Sequence, residues 1–324
     1  MEISQILSEH YNIHNVSLSE VQPGWSALAY RVETDSGLYF LKVYDKSLPT
    51  THLAVERIDF YMPVLSWLSK TSALCGRILT PISTRNGTYK VETASNMYVL
   101  FSFIKGNMPG IQSMTKAQTI ELAETLAILH TVSETIPFET TGLDEDVSLP
   151  FCGQMTQFLD SRNTENDTLS ALIFPHTELL RESIRDVLQL RDTVRIGHSP
   201  LVLCHGDAHG NNVIQGERLV LVDWEDLRRA PAEADLFIYA WHPHGDALFE
   251  AYSAARSGYR INRKLLYFYV LRRRIEDVWV DIQRLTEENP DESEIAKLIG
   301  FIRRGIDEIK KIYTNKSMTG GGIE

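Results

Sequence analysis

Leu203-Cys-His-Gly-Asp-Ala-His-Gly-Asn-Asn-Val-Ile214, followed by Leu219-Val-Leu-Val-Asp-Trp-Glu-Asp226, decides the reading of this chain. Asp207 stands five residues before Asn212, and Asp223 closes an apolar run. Phosphoryl transfer from a nucleotide uses one carboxylate to orient the attacking hydroxyl. An amide and a second carboxylate hold magnesium on the phosphates. Asp207 fits the first role, Asn212 and Asp223 the second. The apolar segments 201–204, 213–214 and 219–222 read as strands flanking a loop, so the polar side chains project from a rigid frame.

Two other readings of the stretch exist. His205, Asp207 and His209 suit a zinc or iron cluster. A metallohydrolase needs further ligands, however, and the other close pair, His242 and His244, sits in a Pro/Gly turn. A polar turn closed by Asp and Asn side chains would also account for Asp207 and Asn212. It does not account for Asp223.

A chain of 324 residues can form two lobes with ample core. Hydrophobic content of 43% and charged content of 23% fit an ordinary globular protein. No apolar run is long enough to span a membrane. The polar, acidic start argues against a signal peptide. Three scattered cysteines (Cys75, Cys152, Cys204) build no disulfide framework, which predicts a cytoplasmic protein. The net charge of −11 disfavours a nucleic-acid partner and suits a cationic one, though acidity for solubility explains it equally well.

The first third is strand-rich. Val32–Tyr44 reads as a hairpin around Asp35-Ser-Gly37, and Thr88–Glu92 and Tyr98–Ile104 as further strands. His52–Lys70 is helical in composition but carries Pro63, which predicts a kink or two short helices. After Gly106-Asn-Met-Pro-Gly110 the texture turns helical: 116–130 is amphipathic, 151–192 is helical with a break near 161–168, and 263–285 and 292–313 are long helices. The expected fold is α+β and two-lobed, protein-kinase-like, with a small β-rich N-lobe and a larger, mainly helical C-lobe. The expected division is 1–104 for nucleotide binding and 105–318 for catalysis and substrate binding. Residues 319–324 form a glycine-rich tail.

Lys42 lies inside an apolar strand, where a charge is costly unless it is paired or points into a polar cleft. It fits a lysine that reaches the nucleotide phosphates and pairs with a helix glutamate, here Glu56. An edge-strand lysine facing solvent is the alternative. The loop over the phosphates would be 21–30, with Gly24 and Ser26 near the nucleotide; it lacks the repeated glycines of protein kinases. In Tyr98–Gly106, Ser102 and Ile104 would supply the carbonyl and amide for adenine, although a buried strand explains that segment as well.

These motifs resemble those of the aminoglycoside phosphotransferase and choline kinase-like family. Cys204–Asn212 is similar to its H-G-D-x-x-x-x-N loop and Val222-Asp-Trp-Glu225 to its metal motif. Ala127-Ile-Leu-His130 and Ala232-Glu-Ala-Asp235-Leu also resemble family markers. Within the family the chain looks most similar to spectinomycin phosphotransferases, through Leu203–His209, Val222–Asp226 with Ala230-Pro231, and Arg274-Ile-Glu-Asp277. The resemblance implies Asp207 as the base, Asn212 and Asp223 as Mg2+ ligands, and Lys42 on the phosphates of ATP or GTP. His205 would brace the loop, and Asp235 would accept hydrogen bonds from it.

The acceptor would be a small cationic alcohol. Glu225 and Asp226 follow the metal motif. Glu276 and Asp277 lie on a late helix, where they suit ammonium groups or simply pair with Arg272–Arg274. Trp241 and Trp279 would stack on the acceptor or lie in the core. The reading is an ATP- and Mg2+-dependent kinase of an aminoglycoside or aminocyclitol antibiotic, hence a resistance enzyme. A metabolite kinase acting on choline, an amino alcohol or a sugar is the alternative. A non-catalytic nucleotide-binding protein is the alternative of another class.

Overall fold

The computed structural model describes residues 2–21, 27–71, 73–162, 166–196, 200–287 and 290–318. They fall into two compact units. The first comprises Met1–Asp144, Val202–Asp235 and Trp241–Tyr259; the second comprises Glu145–Leu201, Leu236–Ala240 and Arg260–Glu324.

The first unit opens with helix α1 (Glu2–Tyr11) and an antiparallel sheet. Its strands are β1 (Ser17–Val21), β2 (Leu28–Thr34), β3 (Gly37–Asp45), β4 (Pro81–Ile82), β5 (Val91–Glu92) and β6 (Asn96–Ser102). Their order is β1-β2-β3-β6-β4, with β5 also on β6. Thr34 sets the β2–β3 turn: its hydroxyl accepts from the Ser36 and Gly37 amides and donates to the Gly37 carbonyl. Strand alternation then sorts β3. Leu41 and Val43 pack with Ile6, Leu7 and Tyr11 of α1 and with Tyr98 and Leu100 of β6. Lys42 and Tyr44 therefore point to the other face, with Lys42 in register between Ala29 and Val99.

On from β3 runs α2 (Pro49–Lys70), a single 22-residue helix that contains Pro63. The break or kinked pair expected from Pro63 does not occur. Pro63 is exposed while Tyr61, Met62, Val64 and Leu65 are buried. The carbonyl released by the missing N–H thus lies on the solvated side, and the buried neighbours carry the helix through. Helix α3 (Lys116–Val132) begins at a capping box, with Thr115 accepting from the Gln118 amide and the Gln118 side chain answering the Thr115 amide.

Four short strands complete this unit. β7 (Val202–Cys204) pairs with β10 (Arg228–Ala230), and β8 (Val213–Gln215) with β9 (Leu219–Leu221). β9 is tied to the first part of the chain: Leu79 N donates to Leu221 O at 3.0 Å and Leu221 N to Arg77 O at 2.8 Å. These bonds join residues 1–104 and the 203–226 stretch in one unit. Helices α7 (Glu233–Leu236) and α8 (Gly245–Ala255) follow, α8 packing on α3.

The second unit is helical: α4 (Pro150–Ser161), α5 (Asp167–Ile173), α6 (Thr177–Ile196), α9 (Arg263–Glu287) and α10 (Glu292–Met318). Its core includes Leu180, Ile184, Phe268, Ile275, Ile282, Ile302 and Ile306. Trp279 belongs to that core: it is 8% exposed and donates to Gln154 Oε1 at 3.2 Å. Residues 319–324, expected as a tail, lie outside the described residues. Among the described residues no helix is long and apolar enough to cross a membrane.

Gly305 on α10 faces α9 so closely that a Cβ there would lie 2.5 Å from Val278 Cγ2. Alanine for glycine inside a helix ordinarily raises stability by about 1 kcal/mol. Gly305→Ala is expected instead to lower it by about 1–3 kcal/mol through overpacking, read as a lower urea midpoint. A raised midpoint would show that α9 and α10 do not meet there.

Candidate active site

The loop after β7 hangs on one buried carboxylate. Asp235 Oδ1 accepts from Gly206 N at 2.7 Å, and Oδ2 accepts from His205 N at 2.9 Å. His130 Nε2 lies 3.0 Å from the same Oδ2, and Tyr252 OH lies 2.7 Å from His130 Nδ1. Burial works against the Asp235 charge, but the His130 hydrogen bond, followed by the nearby histidines and the Gly206 amide, holds its pKa below the ordinary value. Gly206 has φ +87°, and a Cβ there would meet Asp226 O at 2.5 Å, so only glycine fits.

His205 is fully buried. Its Nδ1 accepts the Asp207 amide at 3.3 Å, which leaves the ring proton on Nε2 for the Val222 carbonyl at 2.8 Å. The ring meets Trp224 edge-on at 4.7 Å, and Trp224 Nε1 donates to Leu221 O. His205 thereby braces the Asp207 segment against the Asp223 segment. A bond from Val222 N to Asn212 O at 2.9 Å closes the frame.

Asn212 Nδ2 donates to both Asp207 O and Asp207 Oδ2 at 2.8 Å. Both partners are acceptors, so the amide orientation is fixed and its oxygen is the atom left for a metal. Asp223 has φ +65°, a left-handed conformation that Asp tolerates better than most residues, and its side chain is 44% exposed. An amide oxygen and a carboxylate form a hard, all-oxygen donor set, which fits Mg2+.

Lys42 meets this frame directly. Its Nζ donates to Asp223 Oδ1 at 2.7 Å and to Glu225 Oε1 at 2.6 Å, and Tyr44 OH donates to the same Glu225 oxygen at 2.5 Å. Burial alone would lower the Lys42 pKa, yet the two carboxylates carry it well above the ordinary lysine value. Burial, with the charges of this cluster, also raises Tyr44 and Tyr61 well above the ordinary tyrosine value, so both stay protonated. One ammonium facing two carboxylates leaves a site that attracts a further cation.

Lys42 does not pair with Glu56. Glu56 is exposed on α2, and the inward position there belongs to Tyr61. Glu225 takes the place expected of the helix glutamate, because it lies two residues after Asp223 and reaches the same ammonium. It thus serves the lysine side of the site, not the acceptor side expected of it. Arg57, beside Glu56, donates to Leu227 O at 2.6 Å and lies 3.7 Å from Asp226. Gly24 and Ser26 fall outside the described residues. The Ser102 amide is committed to Thr80 O, and among the described residues no backbone group takes the Ile104 amide.

In the second unit Glu276 lies 3.5 Å from Arg272, and Asp277 lies 2.8 Å from Arg273 and 3.4 Å from Arg274. Arg272 is also bound to the buried Glu145 at 2.6 Å. Trp241, in the first unit, is 55% exposed. Tyr44, Tyr61 and His209 belong to the site but are not singled out for it by the sequence. Tyr44 shares the strand face of Lys42 at i+2, a signal that alternation carries. Tyr61 has no comparable marker.

A model of the phosphotransferase enzyme family matches residues 17–266. The chain belongs to that family: it is a phosphotransferase with the fold of the small-molecule kinases. The structure of spectinomycin phosphotransferase APH(9)-Ia with ADP and spectinomycin superposes with a TM-score of 0.73 at 18% identity, covering 95% of this chain and 96% of that one. A microcompartment-associated aminopropanol kinase gives 0.68 at 16% identity, covering 97% and 98%. A putative fructosamine-3-kinase from Haemophilus somnus 129PT gives 0.58 at 14% identity, covering 95% and 96%. Among curated proteins no match is found.

Asp235→Asn is expected to cost about 3–5 kcal/mol near neutral pH, because an amide cannot serve the loop's two N–H donors and His130 together. The Asp235 pKa is lower folded than unfolded. Its contribution is therefore complete above the ordinary value of 3.8 and is lost as pH falls through the lower folded value. Denaturant unfolding from about pH 7 to about pH 2 should show a steeper acid loss in the wild type than in the variant. Parallel curves would contradict the charge assignment.

Proposed function

We propose that the protein transfers the γ-phosphoryl group of ATP to a hydroxyl of a small cationic molecule, with an aminoglycoside or aminocyclitol antibiotic as first choice. The observation that carries this reading is one hydrogen-bonded frame holding Asp207, Asn212, Asp223 and Lys42. Residues 1–104 would serve as the nucleotide-binding lobe, and 105–318 would carry the catalytic and acceptor-binding groups. Asp207 orients the acceptor hydroxyl and takes its proton. The acceptor oxygen bonds to the γ-phosphorus as the bond to ADP breaks. Asn212 and Asp223 would hold Mg2+, which neutralises charge on the phosphates when bound. Lys42 is presented at the same carboxylate and would turn to the phosphates. ATP rather than GTP is the first choice of donor, the compartment is cytoplasmic, and the physiological role is resistance.

A second reading, a metabolite kinase acting on a small amino alcohol, draws on a specific observation. Asp226, Glu276 and Asp277, the carboxylates offered to a cationic acceptor, each already face an arginine. A polybasic antibiotic needs several carboxylates at once, whereas an amino alcohol needs one.

ADP release from MgATP, measured with spectinomycin, several aminoglycosides, choline, ethanolamine and homoserine, separates these readings. Stimulation by an antibiotic supports the first and stimulation by a metabolite alone the second. Asp207→Ala should lose at least about 100-fold of the stimulated rate while still binding ATP. Stimulation that survives in Asp207→Ala would overturn the role given to Asp207.

A further inference from the structure

Three histidines of the first unit share a local device. The Nδ1 of His205, His209 and His242 accepts the backbone amide two residues on: Asp207 at 3.3 Å, Asn211 at 3.3 Å and His244 at 3.1 Å. A ring nitrogen that accepts carries no proton, so each ring is set with its proton on Nε2. Two of these Nε2–H groups meet carbonyls: His205 meets Val222 O at 2.8 Å and His242 meets Ile111 O at 3.1 Å. The third differs. His209 Nε2 lies 3.2 Å from Asp207 Oδ2, the oxygen that also accepts from Asn212 Nδ2 at 2.8 Å.

We propose that His209 is a positioning residue for phosphoryl transfer: its Nε2–H, set by the Asn211 amide, fixes the Asp207 carboxylate jointly with Asn212. The proposal rests on the phosphotransferase reading above. One donor on a carboxylate oxygen leaves the group free to turn about its terminal bond. Two donors, from residues two and five positions further on, hold its plane, and the acceptor hydroxyl then meets the carboxylate in one orientation. His209 is well placed to act in this way. Its side chain is 16% exposed, its amide donates to Asp207 O at 3.0 Å, and its carbonyl accepts the Asn212 amide at 2.8 Å. With Nδ1 on an amide and Nε2 on a carboxylate, the ring has no nitrogen left for a metal, which disposes of the zinc or iron reading of His205, Asp207 and His209.

The competing account is that His209 merely closes the 209–211 turn. Two substitutions separate the roles, because an asparagine oxygen can stand where Nδ1 stands and a glutamine nitrogen where Nε2 stands. His209→Asn keeps the acceptor for the Asn211 amide and loses the donor to Asp207; His209→Gln keeps the donor. With MgATP and the stimulating acceptor of the panel, kcat of His209→Asn should fall about 10- to 100-fold, with KM for MgATP within about threefold. His209→Gln should recover most of that loss. Asparagine and glutamine variants of equal kcat, or an asparagine variant at the wild-type rate, would overturn the role. Two-bond 15N–1H correlation on the wild type gives a readout independent of turnover: an Nε2–H tautomer for His209 is expected, and an Nδ1–H tautomer would overturn the proposal. Wild-type protein that releases no ADP with any acceptor would defeat the phosphotransferase reading and this role with it. Turnover with equal variants would defeat this role alone.

Discussion

The ammonium of Lys42 between Asp223 and Glu225 is the interaction on which the site depends. It joins residues 181 and 183 positions apart in the chain, and the lysine side chain is only 13% exposed. Desolvating a lysine is costly, and two carboxylates at 2.6–2.7 Å offset that cost only if each is held in place. The hold comes from both directions. Strand alternation commits Lys42 to the face opposite Leu41 and Val43. On the other side, the bond between Val222 and Asn212 and the left-handed backbone at Asp223 commit the carboxylates.

A hierarchy of hydrogen bonds extends from that contact. Asp235 fixes the start of the loop through two backbone amides, and His205 ties the loop to the strand that ends in Asp223. Asn212 and His209 then fix the Asp207 carboxylate itself. Each layer is more exposed than the one beneath it. Asp235 and His205 are fully buried, whereas the Asp207 and His209 side chains are 21% and 16% exposed. Exposure thus rises toward the atoms that would meet nucleotide and acceptor, as a site built for positioning requires.

Much of this was legible in the sequence, for identifiable reasons. The β2–β3 hairpin and helices α3, α9 and α10 have strong periodicity, and the 203–226 stretch joins residue type to fixed spacing. What was not legible depends on long-range placement. Pro63 has the composition of a helix breaker, but the outcome was set by which side of α2 is solvated. Glu56 was the nearest helix carboxylate in sequence, yet helix rotation turned it outward and left Glu225 to pair with Lys42. His209 read as part of a metal cluster because its type and spacing allow that. Only the Asn211 amide on Nδ1 reveals which nitrogen faces Asp207. Trp241 and Trp279 are indistinguishable by type, and packing alone separates the exposed one from the core one.

The central claim is that Asp223, held by Lys42, belongs to a nucleotide–magnesium site. Calorimetry of ATP binding to wild type and Asp223→Ala, each in excess Mg2+ and in EDTA, tests it most directly. The account predicts that magnesium tightens ATP binding by about tenfold or more in the wild type and has little effect in the variant. Unchanged ATP affinity in magnesium on removal of Asp223 would contradict it.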